Sequence, residues 1–286
     1  MGIYSLYVRS EMIGTLLIGD ALTQLKTLPD NSVDSVITSP PYYGLRDYGV
    51  VGQFGIENTP KEYVEALVGV FREVRRVLKE DGTCWINLGD SYTTWNSNGP
   101  QGNNSHRVNR TDPGRIKKSK VTGNFKPKDL IGIPWRVALA LQDDGWYLRQ
   151  DIIWNKPNCM PESVIDRCTR SHEYIFLLTK SRHYYFDVKA IEEPALHKDY
   201  KVKRKRSVWN ISTAPNRQKH FAAFPPELVE TCLKAGCKPG GTILDPFAGS
   251  GTTGVVAKRN DRGFILIELN PNYGEIIKEK LEWDKN

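Results

Sequence analysis

The segment TSPPYYGLRDYG at residues 38–49 combines a hydroxyl group, two consecutive prolines and an aromatic ring. Pro40 and Pro41 have no N–H group to donate, and they force Ser39 toward an extended backbone. The segment therefore presents the Ser39 hydroxyl and backbone carbonyls with few competing donors, which suits a donor-rich guest such as an exocyclic NH₂ group. The ring of Tyr42 adds a face on which a planar base could stack for about 1–3 kcal/mol. The alternative interpretation is an ordinary turn with a tyrosine in the core.

A second constellation, TILDPFAGSGTTG at residues 242–254, is a glycine loop that follows a short apolar run. It satisfies the pattern GxGxxG, which is typical of a dinucleotide site when a strand precedes it. Asp245 ends that strand, and its carboxylate would oppose a pyrophosphate by about 1 kcal/mol or more and favour an ammonium group instead. Glu268 ends the next predicted strand and could accept hydrogen bonds from both ribose hydroxyls. S-adenosylmethionine carries an ammonium and a ribose, whereas a plain tight turn is the alternative interpretation.

Alternating strands and helices are predicted to hold these two segments. The predicted strands cover residues 14–18, 33–38, 83–89, 150–154, 173–179, 242–245 and 263–268. The predicted helices cover residues 21–28, a stretch from residue 60 to Asp81-Gly82, residues 134–143 and 225–235, and the segments on either side of the last strand. Such alternation predicts an α/β fold with a mostly parallel, doubly wound sheet. Open parallel sheets bind ligands at the carboxyl ends of their strands, where both constellations lie.

Composition excludes several classes of protein. The 286 residues are 39% hydrophobic and 26% charged, which excludes wholesale disorder and a collagen-like chain. No run of about 18 apolar residues occurs, and the amino-terminal segment lacks an apolar signal core, so neither a membrane nor secretion is expected. The five cysteines form no CxxC pair, so we expect no metal site and a reducing, cytoplasmic location. The net charge of +7 favours a polyanionic partner only weakly.

Together, the two constellations resemble the DNA amino-methyltransferases, which methylate N4 of cytosine or N6 of adenine. The similarity is to the permuted group, in which the (Ser/Asn/Asp)-Pro-Pro-(Tyr/Phe) motif precedes the cofactor motif, here DPFAGSGTT at residues 245–253. Further segments that resemble the family are Gly19-Asp20, DIIWNKPN (151–158), HEYIFLLTK (172–180) and HFAAFPPELV (220–229). The resemblance implies a Rossmann-like, circularly permuted class I methyltransferase domain over residues 1–286, with a seven-stranded sheet. In that sheet the predicted strands 14–18 and 263–268 would be neighbours.

The resemblance also implies roles for individual residues. The catalytic residues, which would hold the target base and its amino group, are Ser39, Pro40, Pro41 and Tyr42. The cofactor-binding residues are Asp20, Thr38, Phe221, Pro225, Asp245, Pro246, Phe247, Gly249, Ser250, Gly251, Thr252 and Glu268. Among these, Asp245 and the glycine loop would cradle the methionine part, Glu268 the ribose and Asp20 the adenine amine.

The activity implied by the resemblance is transfer of a methyl group from S-adenosylmethionine to an exocyclic amino group of a flipped base. The substrate would be a specific sequence in double-stranded DNA, as in restriction–modification. Serine before Pro-Pro-Tyr favours N4 of cytosine, and N6 of adenine is the alternative. A protein-glutamine or RNA N-methyltransferase is more distant, because those enzymes usually have the cofactor motif first. A binding module with a vestigial site is the non-enzyme alternative.

The implied partners are duplex DNA and a cognate restriction endonuclease, and the expected host is prokaryotic, archaeal or viral, with the protein a monomer or homodimer. Two basic stretches are candidates for DNA contact. Residues 94–128 are predicted to be a basic mobile insertion, and residues 181–219 a small target-recognition region. The individual candidates are Arg46, Lys117, Lys118, Lys203, Arg204, Lys205, Arg206 and Trp209. A solvated surface is the alternative for each charge run, and packing in the core is the alternative for Trp209.

Overall fold

The computed structural model describes residues 2–9, 12–93, 125–195, 201–213 and 224–283. The strands in these ranges are β1 (Gly2–Arg9), β2 (Met12–Ile18), β3 (Val33–Thr38), β4 (Leu78–Leu88), β5 (Tyr147–Asn155), β6 (His172–Thr179), β7 (Glu193–Pro194), β8 (Val202–Lys203), β9 (Val208–Asn210), β10 (Thr242–Asp245) and β11 (Gly263–Glu268). The helices are α1 (Ala21–Leu25), α2 (Pro60–Val77), α3 (Ile133–Asp143), α4 (Pro226–Gly236), α5 (Thr252–Arg259) and α6 (Pro271–Trp283).

The main sheet has nine strands among the described residues, in the order β1-β2-β11-β10-β3-β4-β6-β5-β9. The run from β2 to β4 is parallel, and β6 is antiparallel to both β4 and β5. The seven strands from β2 to β5 are the ones that the sequence predicts. The expected count of seven is exceeded because β1 pairs with β2 at one edge and the three-residue β9 pairs with β5 at the other.

The ends of the chain meet in the sheet, as the permuted arrangement requires. Strand β2 is a parallel neighbour of β11, with Gly14 opposite Phe264 and Ile18 opposite Glu268. A β-carbon added at Gly14 would lie 2.2 Å from the ring of Phe264, so this close strand contact needs glycine. The prediction that residues 14–18 and 263–268 are neighbours is therefore confirmed.

Helix α2 shows how local sequence determines an element that supports the site. The Thr59 hydroxyl accepts a bond from the Glu62 N–H at 3.1 Å, and the Glu62 carboxylate accepts one from the Thr59 N–H, which is a capping box. The apolar positions that repeat at three- and four-residue spacing are buried: Val64, Leu67, Phe71 and Val74. The helix ends at Val77, earlier than Asp81-Gly82, because Leu78 already pairs with Val33 as the first residue of β4.

The described part of residues 181–219 is joined to the main sheet. Strand β9 pairs with β5 over Val208–Asn210, and β7 and β8 form a separate two-stranded ribbon. The predicted insertion at 94–128 lies outside the described residues except for its last four positions. The roles proposed for these stretches therefore stay predictions.

No described helix is both long and apolar enough to cross a membrane. Within the described ranges, no group of three or more His, Cys, Asp or Glu side chains is arranged to hold a metal ion.

Candidate active site

A cavity of about 390 Å³ opens at the carboxyl ends of the parallel strands. The segment Ser39–Tyr42 follows β3, the segment Pro246–Ser250 follows β10, and both line this cavity. Strands β3 and β10 are parallel neighbours, with Leu244 opposite Val36. Parallel neighbours end side by side, so the two segments that the sequence singles out meet in one site.

Most of the predicted site residues that the structure describes line the cavity. They are Asp20, Ser39, Pro40, Pro41, Tyr42, Arg46, Pro246, Phe247, Gly249, Ser250, Thr252 and Glu268. The predicted residues that the structure describes elsewhere are Thr38, Pro225, Asp245, Gly251, Lys203, Arg204, Lys205, Arg206 and Trp209. Lys117, Lys118 and Phe221 lie outside the described residues.

Asp245 lies behind the cavity wall, which differs from the expectation that its carboxylate cradles an ammonium group directly. Its side chain is 1% exposed. Oδ1 accepts bonds from the Thr38 hydroxyl at 2.6 Å and the Phe247 N–H at 3.1 Å, and Oδ2 accepts one from the Thr253 hydroxyl at 2.6 Å. Burial raises the pKa of Asp245 to about 6, although the hydrogen bonds act in the opposite direction. Thr38 and Asp245 thus tie the two site segments together from behind.

Glu268 faces the cavity from the end of β11. Its Oε2 accepts a bond from the Gly249 N–H at 2.8 Å, and Oε1 accepts one from the Asn270 N–H at 2.8 Å. These bonds hold both carboxylate oxygens beside the glycine loop. Burial raises the pKa of Glu268 to about 7, against the effect of the backbone donors.

Asp20 completes a row of acidic residues at the ends of adjacent strands. It follows β2 and caps α1, because its Oδ1 accepts bonds from the Thr23 N–H at 2.8 Å and the Thr23 hydroxyl at 2.9 Å. Strands β2 and β11 are neighbours, so Asp20 and Glu268 line the same end of the cavity.

A hydrogen-bond network occupies the other end of the cavity, around Ser39. The Ser39 hydroxyl lies 3.3 Å from both the Tyr42 hydroxyl and Asn87 Oδ1. The Tyr42 hydroxyl lies 2.9 Å from Asn87 Oδ1 and 2.7 Å from Glu173 Oε2. Lys156 forms an ion pair with Glu173 Oε1, and its Nζ lies 4.3 Å from the centre of the Trp154 ring.

Tyr42 is fixed as a neutral phenol in this network. Burial, followed by the charge of Glu173, raises the pKa of Tyr42 well above its ordinary value. Its ring packs against the backbone at Gly89, where an added β-carbon would lie 2.4 Å from the ring. Tyr42 therefore acts as a hydrogen-bond donor in a closely packed position.

Sequence reasoning missed three members of this network. Lys156 and Glu173 stand in the segments 151–158 and 172–180 that carry the family resemblance, but neither side chain is among the predicted site residues. Asn87 lies between Ile86 and Leu88 in the buried part of β4, and an amide among these apolar residues was the available signal.

The segment that follows Tyr42 closes one side of the cavity and was also not predicted to do so. Its cavity-lining residues are Leu45, Arg46, Tyr48, Val50, Gly52, Gln53 and Phe54. The Gln53 side chain accepts a bond from the Tyr48 N–H at 2.8 Å and donates one to the Arg46 carbonyl at 3.3 Å. The Phe54 ring packs edge-on against Phe247 at 5.5 Å, which joins this segment to the glycine loop.

The basic run at 203–206 is partly occupied by contacts within the chain. Lys203 and Lys205 lie 3.4 and 3.9 Å from the Glu193 carboxylate, whereas Arg204 and Arg206 are exposed. Trp209 is 3% exposed, packs near Trp85 at 6.4 Å and donates to the Arg206 carbonyl. The expected contact of Trp209 with DNA is therefore corrected, because its ring belongs to the core.

The acidic end of the cavity fits S-adenosylmethionine. Asp20 and Glu268 are acceptors for amine and hydroxyl donors, and the Pro246–Ser250 turn adds backbone and an aromatic ring beside them. The acceptors at Ser39 and Asn87 lie in the same cavity and suit a second, donor-bearing guest.

Comparison with known proteins agrees with this geometry. The family model described as DNA methylase, for N6 and N4 methyltransferases, matches residues 33–279. The Type II methyltransferase M.SmaI of Serratia marcescens is 51% identical over 270 residues, which cover 93% of this chain and 90% of that protein. The Type II methyltransferase M.Cfr9I of Citrobacter freundii is 50% identical over 271 residues, which cover 94% of this chain and 87% of that protein.

Solved structures share the fold. The PvuII DNA methyltransferase, titled cytosine-N4-specific, has a TM-score of 0.69 and 23% identity, covering 93% of this chain and 86% of its own. A protein of Thermus thermophilus, titled a DNA modification methylase and solved with S-adenosyl-L-methionine, has a TM-score of 0.63 and 26% identity, covering 94% and 95%. The fold is therefore that of the class I methyltransferases, and S-adenosylmethionine is the cofactor. The permuted motif order, the convergent cavity and these relatives establish that the chain belongs to the N6/N4 DNA methylase family of site-specific DNA amino-methyltransferases.

Proposed function

We propose that this enzyme methylates N4 of a cytosine that is flipped out of a specific duplex DNA sequence. The observation that carries the proposal is a single cavity with Glu268 and Asp20 at one end and the Ser39 network at the other. An exocyclic amino group has two N–H donors, which match the hydroxyl of Ser39 and the backbone carbonyls around Pro40. A base within a duplex cannot reach such a recess unless it is extruded, at a cost of a few kcal/mol.

The reaction needs mainly positioning. S-adenosylmethionine, when bound, supplies an electrophilic methyl group. Ser39 and the Pro40 carbonyl accept hydrogen bonds from the target amino group, which draw its nitrogen toward tetrahedral geometry and free its lone pair for attack. The methyl–sulfur bond would break as the nitrogen–methyl bond forms, a neutral thioether would be the leaving group, and the nitrogen would release one proton to water. At the acidic end of the cavity, Asp20 and Glu268 accept hydrogen bonds from amine and hydroxyl donors of the cofactor. No covalent link to the enzyme is required, and burial raises the pKa of the Cys84 and Cys232 thiols, which keeps them unreactive.

The choice of cytosine rests on Ser39, since serine before Pro-Pro-Tyr is commoner among N4-cytosine enzymes and Asp or Asn among N6-adenine enzymes. The solved neighbour that is titled cytosine-N4-specific supports this choice. N6 of adenine is the second candidate, because the acceptors around Ser39 suit any exocyclic amino group. The deciding experiment is digestion of DNA methylated by this enzyme, followed by mass spectrometry of the nucleosides. We expect N4-methylcytosine, whereas N6-methyladenine would contradict the proposed base.

The DNA backbone is proposed to contact cations near the cavity. Arg46 lines the cavity, and the segment from Arg204 and Arg206 continues through β9 to Thr213, which also lines it. Lys and Arg contacts to phosphates position a protein on DNA without reading its sequence. The relatives named Type II methyltransferases support a further proposal, that a restriction endonuclease acts on the same DNA site.

A further inference from the structure

The network around Ser39 contains one group that can only accept hydrogen bonds. The ionised Glu173 carboxylate has no donor. Its Oε1 pairs with Lys156, and its Oε2 lies 2.7 Å from the Tyr42 hydroxyl and 3.1 Å from Asn87 Nδ2. The side chains of Lys156 and Glu173 are 18% and 16% exposed, so the pair is largely shielded from water. Glu173 therefore fixes the direction of the bonds that reach it.

The orientation of the Asn87 amide follows from this constraint. Its Nδ2 donates to Glu173 Oε2 at 3.1 Å and to the Tyr174 carbonyl at 3.2 Å. The reversed amide would place Oδ1 against two acceptors, which is unfavourable in a partly buried site. Asn87 Oδ1 is consequently turned toward Ser39 and Tyr42 as an acceptor.

Tyr42 has a single proton and three side-chain oxygens within reach, those of Glu173, Asn87 and Ser39, and Glu173 Oε2 is the nearest at 2.7 Å. A hydrogen bond to a carboxylate is stronger than one to a neutral amide oxygen, so the Tyr42 proton is directed to Glu173. The Ser39 proton then has two acceptors inside the network, Asn87 Oδ1 and the Tyr42 oxygen, both at 3.3 Å. With either acceptor, the Ser39 proton points into the network. The lone pairs of Ser39 Oγ then remain available to accept a hydrogen bond from a guest in the cavity.

We propose that Glu173, held by Lys156, is a positioning residue that makes Ser39 Oγ an acceptor toward the target amino group. This inference rests on the proposed function and assigns the direction of its central hydrogen bond. If the direction were reversed, the Ser39 hydroxyl would donate to the amino nitrogen and occupy the lone pair that must attack the methyl group. Glu173 acts through Asn87 and Tyr42.

Glu173→Gln tests this role, because it keeps the shape of the side chain but replaces an acceptor oxygen with a donor. We expect kcat for methyl transfer to fall about 10- to 100-fold, the range set by hydrogen bonds to charged groups. The Kd values for S-adenosylmethionine and for target DNA should stay within about threefold, since the change affects the direction of a bond rather than the shape of the cavity. Glu65→Gln, at an α2 side chain that is 63% exposed, is the matched control and should keep wild-type kcat.

Asn87→Asp supplies a readout that a purely structural role would not change. It places a carboxyl oxygen where Asn87 Nδ2 now lies 3.1 Å from Glu173 Oε2, and two carboxyl groups at that distance share a proton. The shared proton replaces the lost amide donor, so kcat of this variant should fall as pH rises and the proton leaves. Among the described residues, the titratable and charged groups that interact with this pair are Tyr42 from the segment after β3, Lys156 just after β5 and His172 on β6.

The outcomes are separable. A wild-type enzyme that transfers no methyl group to any DNA contradicts the proposed function. Active wild-type enzyme together with a Glu173→Gln kcat within threefold overturns the role of Glu173 alone. The role is also overturned if the loss appears only as a weaker Kd or a lower Tm, or if the pH profile of Asn87→Asp matches that of the wild type.

Discussion

Ser39 stands where the cavity meets the network of Tyr42 and Asn87. At the scale of single residues, it provides the hydrogen bond that we expect to prepare the amino nitrogen. Ser39→Ala removes that bond and leaves the acidic end of the cavity unchanged. We expect kcat to fall about 10²- to 10³-fold, as for loss of one preorganised transition-state hydrogen bond. Measurement of methyl incorporation into DNA, with cofactor Kd from calorimetry, checks this.

The matched control for this prediction is Ser32→Ala, whose hydroxyl donates to the Pro29 carbonyl in an exposed turn. It should keep wild-type turnover. Unchanged turnover in Ser39→Ala, or an equal loss in cofactor affinity, would remove Ser39 from the chemistry.

Ionisation of the buried Glu268 carboxyl group lowers the stability of the folded protein, and the role that we propose for this group is to bind the ribose of the cofactor. Its pKa is raised from 4.5 to about 7 by burial, so the folded state binds a proton more tightly than the unfolded state. Its contribution to stability is fully present below the unfolded pKa and is lost as pH rises through the folded pKa. Between pH 4 and pH 8 the unfolding free energy of the wild type should therefore fall by about 1–3 kcal/mol more than that of Glu268→Gln, since one pKa unit corresponds to about 1.4 kcal/mol.

Urea denaturation of the cofactor-free proteins between pH 4 and pH 8 measures this difference, and binding of S-adenosylmethionine by Glu268→Gln should be weakened. Identical pH dependence of the unfolding free energy in the variant and the wild type would show that the carboxyl group is not titrating in this window.

At the scale of elements, the bond between Thr38 and Asp245 joins the carboxyl ends of β3 and β10. Thr38→Val keeps the shape of the side chain but leaves a buried carboxylate with one donor fewer. We expect the free energy of unfolding to fall by about 1–3 kcal/mol, the cost of an unsatisfied buried polar group. Thr231→Val in α4, whose hydroxyl donates to the exposed Glu227 carbonyl, is the isosteric control. Equal losses in the two variants would contradict a special role for the Thr38 bond.

The same bond illustrates what the sequence can and cannot predict. The glycine loop and the strand that precedes it follow from local patterns, and the pairing of β2 with β11 follows from the permuted order of the motifs. The orientation of Asp245 does not, because its partner Thr38 is 207 positions away in the chain. Asn87 escaped notice for a similar reason, since its function depends on Glu173 across a strand pair.

At the scale of the whole molecule, the predicted core of seven strands is correct, and the additions lie at its edges. Strand β1 is an edge strand that pairs only with β2 among the described strands, and β9 has only three residues. For these reasons, neither strand was predicted from the hydrophobic pattern of the sequence. DNA binding is also a prediction at this scale. The net charge of the protein is +7, and we expect the positions of the basic side chains on its surface to determine where DNA binds.

Double charge reversal of Arg204 and Arg206 to Glu tests that distribution. If both contact phosphates, the slope of log Kd against log salt should decrease by about 2, since each phosphate contact contributes about 0.9. Reversal of the exposed Lys26, just after α1, and Lys61 on α2 is the control for net charge. A slope equal to that of the wild type would remove the 204–206 segment from the DNA interface.

The proposed chemistry requires the segments after β3 and β10 to form one site in which an everted base meets the methyl donor. The decisive test is a crystal structure of the wild-type enzyme with a non-reactive analogue of S-adenosylmethionine and duplex DNA that contains the target sequence. We expect a base extruded from the duplex, its amino nitrogen within hydrogen-bond distance of Ser39 Oγ, and the ribose of the analogue on Glu268. A base still stacked in the duplex, or an analogue bound away from Glu268, would contradict this arrangement.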